Sequence, residues 1–143
     1  GVGLPLGNLT SQLFVNVYMN EFDQFVKHNL KAKYYIRYAD DFVLISSDRD
    51  ELEIQIPRIE EFLMEKLKLA AHKVSIRTFA SGVDFLGWVH FPDYRVLRTS
   101  TKRRMLRKLN EDSSEEVLQS YFGLLSHGNT HKLRGKIMDF IGD

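Results

Sequence analysis

Leu13, Phe14, Val17, Tyr18, Phe22, Phe25 and Val26 recur every three or four positions, so an amphipathic helix of about 16 residues is predicted from Ser11 onward. The stretch before it, Gly1 to Asn8, holds three glycines and Pro5, which is loop chemistry, and Thr10 or Ser11 is placed to cap the helix. The period then changes. Tyr34 to Tyr38 and Phe42 to Ser46 are β-rich runs around the short polar break Ala39-Asp40-Asp41, a hairpin signature. From Asp48 to Leu69 the helical period returns in Leu52, Ile56, Ile59, Phe62, Leu63 and Leu67. Asp48, Asp50, Glu51, Glu53, Glu60, Glu61 and Glu65 fall between them, so this helix carries a solvated acidic face and is kinked or restarted at Pro57.

Beyond it, His72 to Phe79 reads as a strand, Ala80 to Val83 as a turn and Asp84 to Phe91 as a further strand. Pro92-Asp93 turns the chain into Tyr94 to Leu97, a second hairpin. Thr101 to Leu109, Ser114 to Leu125 and Thr130 to Ile141 then read as helices, the last two separated by Ser126-His-Gly-Asn129. The expected organisation is α+β: residues 1–98 with two helices on an antiparallel sheet of about four strands, then a helical unit at 99–143.

At 143 residues and 43% hydrophobic, the chain can bury a real core. Twenty Lys and Arg against nineteen Asp and Glu leave a net charge of +1, which fits neither an acidic tail nor a histone-like protein. That balance hides two poles, because Arg95, Arg98, Lys102, Arg103, Arg104, Arg107 and Lys108 form a basic run without an acid, the electrostatic pattern of phosphate contact. With no Cys, disulfides, thiolate zinc sites and a Cys nucleophile are excluded. No apolar run approaches the roughly 18 residues needed to span a bilayer, and the start lacks a signal-peptide pattern, so no membrane partner and a cytoplasmic location are expected. The chain opens inside loop chemistry without an initiator Met, and a fragment of a longer protein is expected.

The sharpest chemical feature is Asp40-Asp41 at the tip of an otherwise apolar hairpin. Two adjacent carboxylates at a tight turn converge, and a divalent cation with oxygen ligands, typically Mg²⁺, relieves their repulsion. His127 and His131 stand four apart but have no Cys or acidic third ligand nearby, which speaks against zinc. Gly1, Gly3 and Gly7 follow no strand of this chain and lead to no P-loop Lys, so they form no nucleotide fingerprint.

Tyr38-Ala39-Asp40-Asp41 between apolar strands resembles the catalytic hairpin of reverse transcriptases. Gly3 to Gln12 resembles the loop and helix that contact template and incoming nucleotide, the Lys73 segment resembles the lysine-bearing stretch after the long helix, and Phe85-Leu86-Gly87-Trp88 resembles the primer-grip hairpin. Four motifs in order span roughly residues 3 to 97. Leu6 before Gly7 and Gln12 after Ser11 make the first motif similar to that of diversity-generating retroelement enzymes, which copy a template RNA into mutagenised cDNA. Around Lys73, Ala-Ala-His-Lys-Val departs from the commoner His-Pro-x-Lys pattern.

The resemblance implies a polymerase palm of ferredoxin-like topology, followed by the start of a helical thumb. It implies Asp40 and Asp41 as ligands of two Mg²⁺ ions and Lys73 as a charge-neutralising or proton-donating residue near the pyrophosphate. Gly7, Asn8, Ser11, Gln12, Tyr38 and Ala39 are implied at the template and nucleotide. Phe85, Leu86, Gly87, Trp88 and the basic run from Arg95 to Lys108 are implied along the primer and nucleic-acid backbone, although a Trp beside Phe85 and Leu86 is more often core. An RNA template, a DNA or RNA primer and deoxynucleoside triphosphates are the implied partners. The family's third Asp and its fingers residues precede this segment, so the piece alone is expected to be inactive. Two other classes compete: a nucleotidyl cyclase-like palm, whose acidic Gly-Gly-x-x-Phe hairpin is missing, and a non-catalytic RNA-binding module, which would need exposed aromatics on central strands, whereas Tyr38-Ala-Asp-Asp41 puts negative charge where RNA phosphate would lie.

Overall fold

In the computed structural model, which describes residues 9–142, the architecture is α+β and the chain divides between Ile76 and Arg77 into two compact units. The division lies earlier than the boundary expected near residue 98, because Trp88 and Leu97 of the second hairpin belong to the hydrophobic core of the helices that follow them.

In the first unit, α1 (Leu9–Tyr18) runs into α2 (Asn20–Gln24) and a π-helical turn (Phe25–Asn29). Thr10 and Ser11 lie inside the first turn of α1 and so do not precede it as caps. Met19, Phe22, Val26 and Leu30 supply the buried stripe of this stretch. The apolar positions of α1 itself behave otherwise than a simple amphipathic pattern predicts, since Leu13, Phe14, Val17 and Tyr18 are exposed.

Strands β1 (Tyr34–Tyr38) and β2 (Asp41–Ile45) pair antiparallel from Tyr34 with Ile45 to Tyr38 with Asp41. Alternation puts Tyr35 and Arg37 of β1 toward the interior and leaves Tyr34, Ile36 and Tyr38 exposed. Helix α3 (Arg49–Leu67) starts where the Asp48 carboxylate accepts the backbone N–H groups of Asp50 and Glu51, at 2.9 and 3.3 Å. It passes through Pro57 without a restart, and buries Gln55, Ile59, Leu63 and Leu67 at strict four-residue steps while all seven of its expected acids face solvent. It stops at Lys68, in the left-handed conformation at φ 52°, with Leu69 N–H closing on the Leu63 carbonyl at 2.9 Å. Phe22, wholly buried, is the centre of this core, its ring 4.8 Å from that of Phe42.

Two expectations fail between Leu69 and Phe91. The strand expected at His72 to Phe79 does not form; the segment is irregular up to a 3₁₀ turn at Phe79–Ser81. Its β-rich composition finds no strand to pair with, and β-propensity without a ladder partner stabilises little. The single strand expected at Asp84 to Phe91 is instead a hairpin, β3 (Val83–Phe85) and β4 (Trp88–His90), turning at Leu86-Gly87. Both turn residues have positive φ, 52° and 83°, the requirement of the tight turn that matches strand twist.

With β5 (Arg95–Leu97) beside β4, the described strands make a two-stranded and a three-stranded sheet rather than one sheet of about four. Helices α4 (Thr99–Glu111), α5 (Glu115–Leu125) and α6 (His131–Gly142) complete the second unit. Its core joins Trp88 and Leu97 to Met105, Leu109, Leu125 and Ile137. Among the described residues, no helix is long and apolar enough to cross a membrane.

Candidate active site

The β1–β2 turn has two residues, Ala39 and Asp40, closed by the Tyr38–Asp41 pair. Ala39 takes φ 53°, in the left-handed region that favours glycine. For a residue with a Cβ that conformation costs about 1–2 kcal/mol, so something else must hold it. The turn places Asp40 at the tip and Asp41 at the first position of β2, and both are exposed.

Arg37 supplies the hold. Its register puts it on the interior side of β1, and its side chain is 10% exposed. Nε donates to Asp23 Oδ1 at 2.7 Å and Nη2 to Asp23 Oδ2 at 2.6 Å, a bidentate pair with α2. Nη1 donates to the carbonyl of Ala39 at 2.7 Å and to Asn16 Oδ1 at 3.1 Å. The Tyr35 hydroxyl donates to Asp23 Oδ1 at 2.7 Å. These contacts shift the groups that make them. Hydrogen bonding from Arg37 holds the Asp23 carboxyl below the usual carboxylate range against the opposing effect of burial. Burial first, then the bond to Asp23, pushes the Tyr35 hydroxyl up. Arg37 itself is raised, chiefly by its bond to Asp23.

None of Asn16, Asp23, Tyr35 and Arg37 stood out as a site residue in the sequence. The available signal was Arg37, a charge at an inward position of an alternating strand, which demands a partner that spacing cannot locate.

The other expected site residues are scattered. Gly7 and Asn8 lie outside the described residues. Ser11 is half-buried and Gln12 exposed on α1, and Tyr38 is exposed beside Asp41. Lys73 is exposed on the irregular segment rather than on a strand. In the second unit, Leu86 and Gly87 form the tip of the β3–β4 hairpin, with Leu86 exposed, while Trp88 is buried and offers no open face to a base.

The basic run also divides. Arg98 hydrogen-bonds Asp84, with Nε to Oδ1 at 2.7 Å. Arg95 donates to the His127 carbonyl and lies with its guanidinium carbon 5.2 Å from the Trp88 ring centre. Lys102, Arg103, Arg104, Arg107 and Lys108 are exposed along α4, with a loose Arg107–Glu111 contact of 3.9 Å at its C-terminal end.

Chemically, the exposed pair Asp40 and Asp41 is a hard oxygen donor set, suited to Mg²⁺ but incomplete. Among the described residues no cluster of three His, Asp or Glu groups stands ready to hold a metal ion. Comparison with protein families matches residues 1–90 to the model described as reverse transcriptase (RNA-dependent DNA polymerase). No curated protein matches the chain.

Proposed function

The chain belongs to the reverse transcriptase family, and from that premise we propose that Asp40 and Asp41 are the catalytic carboxylates of a polymerase that extends a primer on an RNA template. The observation that carries this reading is the exposed Asp40-Asp41 pair on a braced two-residue turn, inside the stretch that matches the family. In the reaction the primer 3′ oxygen attacks the α-phosphorus of a deoxynucleoside triphosphate, a new P–O bond forms, and pyrophosphate leaves. Two Mg²⁺ ions, when bound, would activate the attacking oxygen and stabilise the leaving one. Asp40 and Asp41 contribute carboxylate ligands, carried on a turn that Arg37 braces through the Ala39 carbonyl.

Two carboxylates fill few of the octahedral positions around such ions, so these 143 residues alone are expected to be inactive until further ligands complete the site. Exposed Lys73 acts on the leaving pyrophosphate. Ser11, Gln12, Tyr38 and Ala39, with Gly7 and Asn8, contact template and nucleotide. Lys102, Arg103, Arg104, Arg107 and Lys108 bind the phosphate backbone, and the β3–β4 tip at Phe85, Leu86 and Gly87 supports the primer end. Leu6 before Gly7 and Gln12 after Ser11 favour the diversity-generating retroelement type.

Primer extension with Mg²⁺, by a polypeptide joining these residues to a fingers region, tests the reading. Asp40→Ala and Asp41→Ala should each abolish extension while leaving the far-UV circular dichroism unchanged. Wild-type extension by either folded variant would assign the chemistry elsewhere.

A further inference from the structure

Arg37 touches the turn but not the carboxylates, and its charge is already matched by Asp23. Its contribution to the turn is therefore geometric. The Ala39 carbonyl that it holds belongs to the peptide unit joining Ala39 to Asp40. Because that unit is planar, fixing its oxygen fixes the plane from which the Asp40 Cα departs. Asp41 is set independently, by its ladder pairing with Tyr38. The guanidinium is anchored at its other edge to α2 through both oxygens of Asp23, and Asp23 is oriented in turn by the Tyr35 hydroxyl.

We propose that Arg37, oriented by Asp23, is a positioning residue that sets Asp40 against Asp41 for metal binding. The proposal rests on the assignment of these carboxylates as metal ligands and names the side chain that arranges them. A lysine in its place keeps the charge. It cannot bridge a carboxylate with two parallel bonds and reach a carbonyl as well, because its three donors radiate from one atom.

The test is a Mn²⁺ titration of the ¹⁵N-labelled chain, followed by paramagnetic broadening of backbone amides. In the wild type, broadening should concentrate on Tyr38 to Phe42. In Arg37→Lys, the Mn²⁺ concentration giving half-maximal broadening there should rise by about tenfold or more, the usual effect of losing a residue that orients a ligand. The Asp40 amide should also gain fast motion in ¹⁵N relaxation. Asp23→Asn alters no hairpin residue and should shift the titration in the same direction. It serves in place of Arg37→Lys if that variant does not fold. Arg98→Lys, which disturbs an ion pair of the other unit, should leave the titration unchanged.

If the wild type shows localised broadening and a folded Arg37→Lys or Asp23→Asn matches it within twofold, Arg37 braces the fold only and the proposal is overturned, while the assignment of Asp40 and Asp41 stands. If the wild type shows no localised broadening, the metal-ligand assignment fails and the proposal falls with it.

Discussion

Adding one methyl group at Gly128 should destabilise the second unit through a single ring. A Cβ at that position would lie 2.2 Å from Trp88 Cζ3, 2.8 Å from Cη2 and 3.0 Å from the Arg95 carbonyl oxygen. Both sides of the contact are held. Trp88 is 7% exposed within the core formed with Met105, Leu109 and Leu125. The loop is clasped to β5 by Asn129 N–H donating to the Arg95 carbonyl at 2.8 Å and by Arg95 donating back to His127. Overpacking a core costs about 1–3 kcal/mol, and withdrawing the loop instead would sacrifice a hydrogen bond of about 1 kcal/mol. Gly128→Ala should therefore lose about 2–3 kcal/mol of unfolding free energy. Trp88 is the one tryptophan of the chain, so urea unfolding followed by its emission reads this unit directly. In a Trp88→Phe background, where the outer ring atoms are gone and the 3.0 Å approach to the Arg95 carbonyl remains, the same alanine should cost about 1 kcal/mol or less, giving a coupling of at least about 1 kcal/mol. Circular dichroism follows unfolding in that background. Equal costs in the two backgrounds, or a negligible cost in the wild type, would refute the clash.

Other outcomes follow from the same geometry. Phe22→Ala, at the centre of the first core, should cost about 3–5 kcal/mol in denaturant unfolding. Because Asp23 titrates lower in the folded chain than its ordinary value of 3.8, its contribution is complete above that pH and drains away below it; the stability gap between wild type and Asp23→Asn should shrink as pH falls through the acid range. Replacing Arg103, Arg104 and Arg107 with Gln should flatten the log-affinity against log-salt slope for a primer-template duplex by up to about 2.7 units, while Arg95→Gln should leave that slope unchanged because its guanidinium is already engaged. Arg98→Gln, which breaks a partly exposed pair with Asp84, should cost no more than about 1 kcal/mol in thermal unfolding.

Where local pattern and local environment agree, the fold was legible. The helix over Asp48 to Leu67 and the polar break between two β-rich runs each have a nearby cause, and both elements formed, although the buried stripe of α3 takes in Gln55 and leaves Leu52, Ile56 and Phe62 half-buried. His72 to Phe79 reads as a strand because of its composition, yet a strand exists only with a neighbour. Asp84 to Phe91 reads as one strand because Leu86 gives no hint of a left-handed turn, and only Gly87 carried that signal. In the candidate site, Asp40 and Asp41 could be placed at a hairpin tip from spacing alone. The link from Arg37 to Asp23 spans 14 residues and two elements, and no periodicity encodes it.

The left-handed backbone at Ala39 separates two kinds of selection acting on four consecutive residues. In a saturation library over Tyr38 to Asp41, a screen for folding alone would act strongly on position 39, where Gly and Asn fit the backbone and Val, Ile and Thr do not. The same screen would be nearly blind to Asp40 and Asp41, whose side chains face water. An activity screen would keep the pressure on position 39 and add strong selection at Asp40 and Asp41, and the difference between the two enrichment maps would distinguish shape from chemistry residue by residue.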